Sequence, residues 1–227
     1  MILFIDTALD KTLLAIKNDD KIYYKEIIES NFISKNIIDS IEELLKKINL
    51  EKNNFKYICF NNGPGNFTSL RVGLSYTKAI SFYLNIPIIL LNSFQILALS
   101  SNIGNKNIPI FVAIDARMNE LYWTYYKNYN EIITSESKKY LSSEKSFFTS
   151  LKKLSFREIL LIKNSTTILK NYNFNDFNIK EIKKNNIMQN LHNIFKYIEL
   201  LNKKKFLYNS ENIKLNYIRN NVAKKRK

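Results

Sequence analysis

The amino-acid sequence predicts an α/β protein of two lobes, each built around a mixed sheet. Short apolar runs typical of buried strands alternate with helical patterns along the 227 residues. Two of these runs, Ile2–Ile5 and Ile110–Ile114, end in the aspartates Asp6 and Asp115, and each is followed by a further strand. The repeated order of strand, aspartate and hairpin indicates two lobes of similar design.

A polar, turn-rich stretch at 102–107 is the best candidate for the boundary between the lobes. We expect a first lobe over 1–101, a smaller second lobe over 108–206, and a C-terminal segment over 207–227 that packs back on the first lobe. Because 45% of the residues are apolar, the chain has enough material for a packed core.

The first lobe is predicted to alternate strands with two long helices. Strand-type runs are found at Ile2–Ile5, Leu13–Ile16, Ile22–Ile28, Tyr57–Phe60 and Ile86–Leu91. One amphipathic helix is expected from Lys35 to Ile48 with Ser34 as its N-cap, and a second from Thr68 to Leu84 with Thr68 or Ser69 as its N-cap. A short helix capped by Ser93 should follow the last strand.

The second lobe has fewer clear elements. Strands are expected at Ile110–Ile114, Glu120–Tyr126 and Glu158–Ile162. A helix should begin at Ser142 or Ser143 and run toward Lys153, and an amphipathic helix that carries His192 should span Ile187–Lys203.

A glycine-rich turn connects the Tyr57–Phe60 strand to the second long helix. Three of the four glycines, Gly63, Gly65 and Gly73, fall in this turn and helix. The turn does not match a phosphate-binding loop, because Pro64 lacks an N–H and no Lys-Ser/Thr pair follows Gly65. We therefore interpret it as a sharp bend from a strand into a helix.

Small side chains recur every four residues along that helix, at Ser69, Gly73, Thr77 and Ser81. This spacing places them in one stripe, which another helix can approach closely. The neighbour can belong to the same chain or to a partner protein, and the sequence does not decide between the two.

The chain is strongly basic, with 35 Lys and Arg against 20 Asp and Glu. A net charge of +15 suits a polyanionic partner such as RNA. Heavy use of Lys, Asn and Ile with little Gly, Pro or Ala is also what AT-rich coding produces, so the charge is only permissive evidence. It is concentrated at Lys203–Lys205 and Lys224–Lys227.

The single cysteine, Cys59, lies in a predicted buried strand, which excludes an intrachain disulfide and suits a reducing compartment. The N-terminus has no signal-peptide pattern, and no apolar run approaches the ~20 residues of a membrane span. These features predict a cytoplasmic protein that makes no membrane contact.

Five segments stand out as motifs: IDTA at 5–8, GPGNFTSLRVGLSYTKAI at 63–80, NIP at 85–87, DARMNELYW at 115–123 and YIRNNVAKK at 217–225. Together, and in this order, they resemble the TsaB (YeaZ) family of Gcp/Kae-like proteins, which serve tRNA threonylcarbamoyladenosine biosynthesis. The motif residues are Asp6, Thr7, Gly63, Pro64, Gly65, Phe67, Thr68, Arg71, Asp115, Arg117, Tyr217 and Arg219.

The resemblance implies a two-lobed actin/Hsp70-like (ribonuclease H-like) fold and a supporting role in transfer of a threonylcarbamoyl group to N6 of adenosine 37 of ANN-decoding tRNAs. It implies a TsaD-like catalytic partner, a TsaE-like ATPase, and a homodimer in isolation through the same helical surface. It also implies tRNA contact only within the complex, and no cofactor on the chain alone, with ATP or ADP confined to a partner interface. The carried-over interface residues are Ile37, Ile41, Leu45, Ser69, Gly73, Thr77 and Ser81.

Catalytic alternatives lack the residues they need. A TsaD-like metal site uses two histidines on a helix, whereas His192 is the single histidine of the chain. An actin-like ATPase or small-molecule kinase needs glycine at the turn after the first strand, and residues 5–10 contain none. No G-x-S-x-G motif is present, and nothing places Cys59 beside His192.

A plain RNA-binding protein is the remaining alternative, since aromatic residues accompany Lys127 in the 121–129 stretch. The structural roles favoured for the charged motif residues are local. We expect Asp6 to cap neighbouring backbone rather than to hold phosphate or metal, and Asp115 and Arg117 to form an ion pair rather than to touch a partner. Arg219 should hold the C-terminal segment in place rather than meet RNA.

Overall fold

The computed structural model describes residues 1–9, 11–28, 33–101, 107–134, 137–154, 156, 158–174, 178–182, 190–216 and 218. The chain divides into two compact units. The first is formed by Met1–Ile96 with Met188–Asn216, and the second by Leu97–Ile187 with Tyr217–Lys227. Each unit contains a five-stranded sheet with parallel and antiparallel pairs, which confirms the predicted α/β class with mixed sheets.

The sheet of the first unit has the order β3-β2-β1-β4-β5. Its strands are β1 (Ile2–Asp6), β2 (Lys11–Asn18), β3 (Lys21–Ile28), β4 (Tyr57–Asn61) and β5 (Ile88–Leu91). Strands β1 to β3 form an antiparallel meander, while β1, β4 and β5 run parallel. All five residues of β1 and of β4 are buried, as expected for central strands that are covered on both faces.

The two long helices of this unit are α1 (Ile33–Lys47) and α2 (Phe67–Leu84), and α3 (Ser93–Leu99) follows β5. Helix α1 begins before Ser34, so the prediction of Ser34 as its N-cap is wrong. Its inward face is made of Ile37, Ile41, Leu44 and Leu45, which are buried in one apolar cluster with strand residues. This packing is the expected result of apolar residues at helical spacing.

Helix α2 is capped by Asn66, not by Thr68 or Ser69. The Asn66 side-chain oxygen accepts hydrogen bonds from the backbone N–H groups of Thr68 and Ser69, each at 3.1 Å. The two residues predicted as caps are therefore the donors to the cap. Asn is as good an N-cap as Ser, and its position two residues earlier was available in the sequence.

The sheet of the second unit has the order β10-β9-β6-β7-β8. Its strands are β6 (Ile110–Asp115), β7 (Glu120–Tyr126), β8 (Tyr140–Ser143), β9 (Glu158–Lys163) and β10 (Asn178–Ile182). Helices α4 (Tyr129–Thr134) and α5 (Glu144–Lys153) accompany it, and the Ser143 hydroxyl caps α5 as predicted. Strands β8 and β10 and helix α4 were not predicted.

An aromatic cluster forms the core of the second unit. Phe147 of α5 packs edge-on against Phe111 of β6 and Trp123 of β7, with ring centroids 6.4 and 5.2 Å apart. The Tyr140 ring stacks on Trp123 with centroids 4.2 Å apart. Such offset and edge-on pairs add to the stabilisation from area burial alone.

Helix α6 (Leu191–Lys203) belongs to the first unit, although its sequence position predicted the second lobe. Its Phe195 ring packs edge-on against Phe4 of β1 with centroids 6.3 Å apart, and Gln95 donates to the Tyr197 hydroxyl at 3.1 Å. The apolar face of α6 covers strands of the first sheet, and that need for cover outweighs sequence proximity.

Residues 207–216 of the predicted C-terminal segment belong to the first unit, whereas residue 218 falls in the second. Tyr208 exchanges two backbone hydrogen bonds with Ile88 of β5, and the Asn216 N–H donates to the Asn62 carbonyl at 2.9 Å. Among the described residues, no helix combines the length and apolar character needed to cross a bilayer.

Helix α2 lies unusually close to the strands beneath it. A Cβ atom added at Gly73 would stand 2.4 Å from the Thr7 hydroxyl oxygen and 3.0 Å from the Phe60 ring. A Cβ atom added at Gly65 would stand 1.9 Å from the Ala8 carbonyl oxygen. Both positions are too tight for a real Cβ atom, so they can hold only glycine without a shift of the backbone or of a buried side chain.

We predict that Gly73→Ala destabilises the protein even though alanine is the better helix former by about 1 kcal/mol. The added methyl must displace Thr7 or Phe60, which are packed, so we expect a net loss of about 1–3 kcal/mol in the free energy of unfolding. Urea denaturation followed by circular dichroism measures it. The matched control is Ser75→Ala on the exposed side of α2, which should leave stability unchanged or slightly raised. Equal stability of the two variants would contradict the close approach.

Candidate functional site

The seven side chains predicted to form a partner interface are buried inside the first unit. Ser69, Gly73, Thr77 and Ser81 line the inner side of α2, and Ile37, Ile41 and Leu45 the inner side of α1. The small stripe is therefore used by the chain's own strands, as the clash of a Cβ at Gly73 with Thr7 demonstrates. This burial contradicts the prediction that these seven residues make the contact with another chain, because the helices turn these faces toward their own sheet; Leu45, at 4% exposure, also lines a surface hollow.

The opposite side of α2 carries large exposed apolar groups. Phe82 and Tyr83 at the end of α2 are 76% and 78% exposed, and Ile38, at the edge of the buried face of α1, is 41% exposed. Ala79 and Arg71 lie on the same exposed side of α2, one and three turns before these aromatics. We call these five residues the outer helical face. Adjacent exposed aromatics of this size mark interaction surfaces more often than ordinary solvent-facing positions.

A hollow of about 330 Å³ opens beside Tyr83. It is lined by Tyr83 of α2 and by Glu42, Leu45, Lys46, Leu50, Glu51, Lys52 and Asn53. Glu42 and Lys52 form an ion pair of 2.8 Å at its edge, and the bonded ammonium lowers the pKa of the Glu42 carboxyl. The hollow has an apolar floor and charged edges, which suits a side chain of a partner protein.

A buried polar network joins the ends of β1 and β4 to the glycine-proline turn. Asp6 Oδ1 accepts hydrogen bonds from the Ala8 N–H at 2.9 Å and from Asn61 Nδ2 at 2.8 Å. Asn61 Oδ1 in turn accepts from the Gly63 N–H at 3.0 Å, and the Ser93 hydroxyl donates to the Pro64 carbonyl at 2.6 Å. The network holds the turn, in which the Gly63–Pro64 peptide is cis and Gly63 has φ +97°.

Burial is the main influence on the Asp6 carboxyl and raises its pKa to about 6, while the hydrogen bonds from Ala8 and Asn61 oppose the shift. The side chain caps backbone, as the sequence predicts. The glycine turn closes the end of β1, since the Asn66 N–H donates to the Ala8 carbonyl at 2.7 Å. Sequence reasoning singled out Asp6 but missed Asn61, for which the signal was a polar residue directly after a buried apolar run. It named Ser93 as the cap of α3, which is wrong: Asn92 accepts the Gln95 N–H at 2.9 Å, and the Ser93 hydroxyl belongs to this network.

The nucleophile and base considered from sequence are in opposite environments. Cys59 is fully buried in β4, and burial raises the pKa of its thiol well above the ordinary value. His192 is exposed on α6. A buried neutral thiol and a solvent-facing imidazole do not make an activated pair. Among the residues that the structure describes, no three His, Cys, Asp or Glu side chains cluster as metal ligands would.

The turn between β6 and β7 displays Arg117. Asp115 Oδ1 accepts the Arg117 N–H at 2.7 Å, and the two side chains approach to 3.7 Å while Arg117 stays 77% exposed. Residues 117–119 all have positive φ, between 55° and 64°. Tyr217 and Arg219 of the predicted motif lie outside the described residues. Phe67 and Arg71 lie one turn apart at the start of α2, with the guanidinium 3.8 Å from the ring centroid, and Thr68 is exposed beside them.

Comparison with known proteins identifies relatives over much of the chain. A family model described as TsaD, tRNA N6-adenosine threonylcarbamoyltransferase, matches residues 28–205. The tRNA threonylcarbamoyladenosine biosynthesis protein TsaB of Buchnera aphidicola subsp. Acyrthosiphon pisum is 30% identical over 183 residues, which cover 77% of this chain and 83% of that protein. A tRNA N6-adenosine threonylcarbamoyltransferase of Christiangramia forsetii is 43% identical over 60 residues, 26% of this chain and 18% of that enzyme.

A solved structure gives the same fold. The crystal structure of an uncharacterized Pseudomonas aeruginosa protein with similarity to the peptidase YeaZ superposes with a TM-score of 0.72 at 15% identity, covering 96% of this chain and 99% of that one. The described architecture is accordingly the α/β actin/Hsp70-like fold that the sequence predicted.

The buried carboxyl of Asp6 predicts a pH-dependent stability. Its pKa is about 6 in the folded protein against an ordinary value of 3.8, so the folded state binds more protons between those values. Stability from this group is complete below about pH 4 and is lost as the pH rises through 6, by about 3 kcal/mol in total. We expect Asp6→Asn to flatten this part of the profile, as measured by urea unfolding at pH 4 to 8.

The control for that profile is Asp39→Asn, which changes an exposed carboxyl on α1 and should keep the wild-type slope. Parallel profiles for the wild type and Asp6→Asn would show that the Asp6 carboxyl does not titrate in this range, whatever the absolute stability of the variant.

Proposed function

The chain belongs to the TsaB (YeaZ) family, and from that premise we propose that it is a non-catalytic partner subunit in threonylcarbamoyl transfer to N6 of adenosine 37 of ANN-decoding tRNAs. It binds a TsaD-like catalytic subunit through the outer helical face. The observation that carries this assignment is the exposure of Phe82 and Tyr83 on a helix whose other side is fixed to the sheet.

The outer helical face has the properties of a stable protein interface. Two aromatic side chains at the end of α2 and Ile38 of α1 provide exposed apolar area, and Arg71 adds a cation held against the Phe67 ring. Aromatic and arginine side chains are the groups that most often dominate binding energy. The hollow beside Tyr83 offers a place for an anchoring side chain of the partner. A helical partner surface would fit this face by ridge-into-groove packing.

The non-catalytic part of the proposal rests on where the reactive groups lie. The thiol of Cys59 is buried and its pKa is raised, so it stays protonated at neutral pH. The carboxyl of Asp6 is occupied in capping the Ala8 N–H. His192 is solvent-exposed on a helix that packs against the first sheet.

The alternative of an actin-like ATPase or small-molecule kinase is not favoured. Such enzymes hold phosphate at the turn after the first strand, whereas here that turn is packed against Gly65 with no room even for a methyl group. We therefore extend the proposal to cofactors: the chain alone binds none, and ATP or ADP is held only at a partner interface. That nucleotide would be hydrolysed by a TsaE-like ATPase.

The same face explains a homodimer when the catalytic subunit is absent. Exposed apolar side chains are covered by a second copy if no other partner is available, and the two occupants then compete. Contact with tRNA becomes productive only in the complex. The chain works in the cytoplasm on this proposal, where tRNA and its modifying enzymes are located.

We predict that the double variant Phe82→Ser, Tyr83→Ser folds normally but fails to bind its TsaD-like partner. Two large side chains that are exposed in the free chain cost little when removed there, whereas truncation of central interface aromatics costs about 2 kcal/mol or more each. Isothermal titration calorimetry with the purified partner should record an affinity several hundredfold weaker, since a summed loss of about 4 kcal/mol corresponds to nearly three factors of ten.

The control for this double variant is Tyr24→Ser, which removes an aromatic of 48% exposure from β3. It should bind the partner as the wild type does. Unchanged affinity of the double variant, with circular dichroism confirming its fold, would contradict the outer helical face as the interface.

We also predict that His192→Gln leaves the threonylcarbamoylation rate of the assembled complex within about twofold of the wild type. The imidazole is exposed and takes no part in chemistry on this proposal, so its removal takes away no transition-state interaction. A rate measured with reconstituted subunits and unmodified tRNA tests it. Hydrolysis of ATP by the purified chain without partners would contradict the non-catalytic role directly.

A further inference from the structure

A basic and aromatic patch follows helix α6. Six consecutive residues, Lys203 to Tyr208, are all exposed, and their sequence is Lys-Lys-Lys-Phe-Leu-Tyr. Phe206 is 52% exposed, and Leu207 and Tyr208 are each 39% exposed. No other stretch of the described chain combines three adjacent exposed lysines with two exposed aromatics. We call residues 203–208 the basic aromatic patch.

The patch has a fixed backbone. Lys205 adopts the left-handed conformation at φ 59°, and its N–H donates to the Asn202 carbonyl at 3.0 Å. The Phe206 N–H donates to the Leu201 carbonyl at 3.1 Å, so α6 ends in a closed turn. Tyr208 then pairs with Ile88, at the edge strand of the first sheet, through hydrogen bonds of 2.8 and 2.9 Å. Both ends of the patch are therefore attached to buried elements.

The lysines of the patch have no acidic partner among the described side chains. None of the ammonium groups of Lys203, Lys204 and Lys205 forms an ion pair with a residue that the structure describes. An exposed lysine without an ion-pair partner costs little folding free energy. Three such lysines in a row on a fixed backbone nevertheless create a local positive potential. Two aromatic faces directly beside them are the second requirement for contact with unpaired nucleotides, because every base can stack on an aromatic ring.

We propose that the basic aromatic patch binds RNA, with the lysines on phosphates and with Phe206 and Tyr208 stacking on unpaired bases. An RNA fits better than a protein partner, because charge complementarity calls for a polyanion and the patch carries no carboxylate. The choice of tRNA as the RNA rests on the proposed function. The free chain binds tRNA weakly and in a salt-sensitive way. In the assembled complex, this contact adds to the affinity for tRNA that the other subunits provide.

The experiment measures binding of a fluorescein-labelled, unmodified tRNA transcript to the full chain by anisotropy, from 50 to 200 mM salt. The first variant carries all three substitutions Lys203→Gln, Lys204→Gln and Lys205→Gln. We expect its slope of log affinity against log salt to flatten by about two to three units, because each phosphate that is no longer neutralised removes about one unit. For Phe206→Ala, Tyr208→Ala, we expect affinity to fall at least about fivefold with an unchanged slope. The Tyr208 substitution leaves its backbone pairing intact.

Matched controls separate the patch from general charge. Lys145→Gln, Lys152→Gln, Lys153→Gln removes three exposed lysines of α5 and lowers the net charge equally, so it should change the slope by less than one unit. An equal change of slope in both lysine variants, or undetectable RNA binding by the wild type at 50 mM salt, would overturn the proposal. So would aromatic variants that bind RNA normally and fail to bind a protein partner instead.

The result of the tRNA-binding experiment does not depend on whether the outer helical face binds the catalytic subunit. Phe82→Ser, Tyr83→Ser should keep tRNA binding by the free chain while failing to bind the catalytic subunit, and the patch variants should do the reverse. If the catalytic subunit binds but the patch variants leave tRNA affinity unchanged, only the RNA proposal is contradicted. If the patch binds RNA but no TsaD-like subunit binds, the docking proposal fails alone.

Discussion

Helix α2 rests on strands β1 and β4 at a separation that Gly73 and Gly65 make possible. A single methyl group at either position would enter the space of Thr7 or of the Ala8 carbonyl. The close fit fixes the rotation of α2 about its own axis, since the four small residues of the stripe must all face the sheet. Once that rotation is fixed, Phe82 and Tyr83 have nowhere to point except outward. The candidate interface is thus a consequence of inward packing.

The polar network at the strand ends serves the same arrangement. Asp6, Asn61 and Ser93 satisfy the backbone groups of a turn that would otherwise leave buried donors and acceptors without partners. The Asp6 carboxyl is costly at neutral pH, since burial raises its pKa to about 6. Its two hydrogen bonds offset part of that cost. Asp6 therefore belongs to the hydrogen-bond network that holds the turn before α2 and so positions the helix.

Much of the first unit could be predicted from sequence, because its strands are apolar runs and its helices have clear periodicity. The stripe at Ser69, Gly73, Thr77 and Ser81 was correctly identified as a close-packing surface. Its neighbour was not, since helical spacing reveals which residues share a face but not what covers it. Phe82 and Tyr83 were visible as adjacent aromatics at the helix end, yet only burial separates an exposed pair from a core pair.

The unit to which α6 belongs could not be predicted from the sequence, for a different reason. Proximity along the chain favoured the second lobe, but the cover that β1 and β5 need comes from Phe195 and its neighbours, about a hundred residues after β5. This return of the chain also sets the location of Lys203–Tyr208, because the end of α6 is tied to Ile88 at the sheet edge. The packing of α6 on the first sheet therefore determines where the chain presents positive charge and aromatic rings. In the same way, the close approach of α2 to β1 and β4 determines where it presents a surface to another protein. A subunit with no reacting group of its own can act by such placement alone, since its contribution to the reaction is the relative position of the groups that others supply.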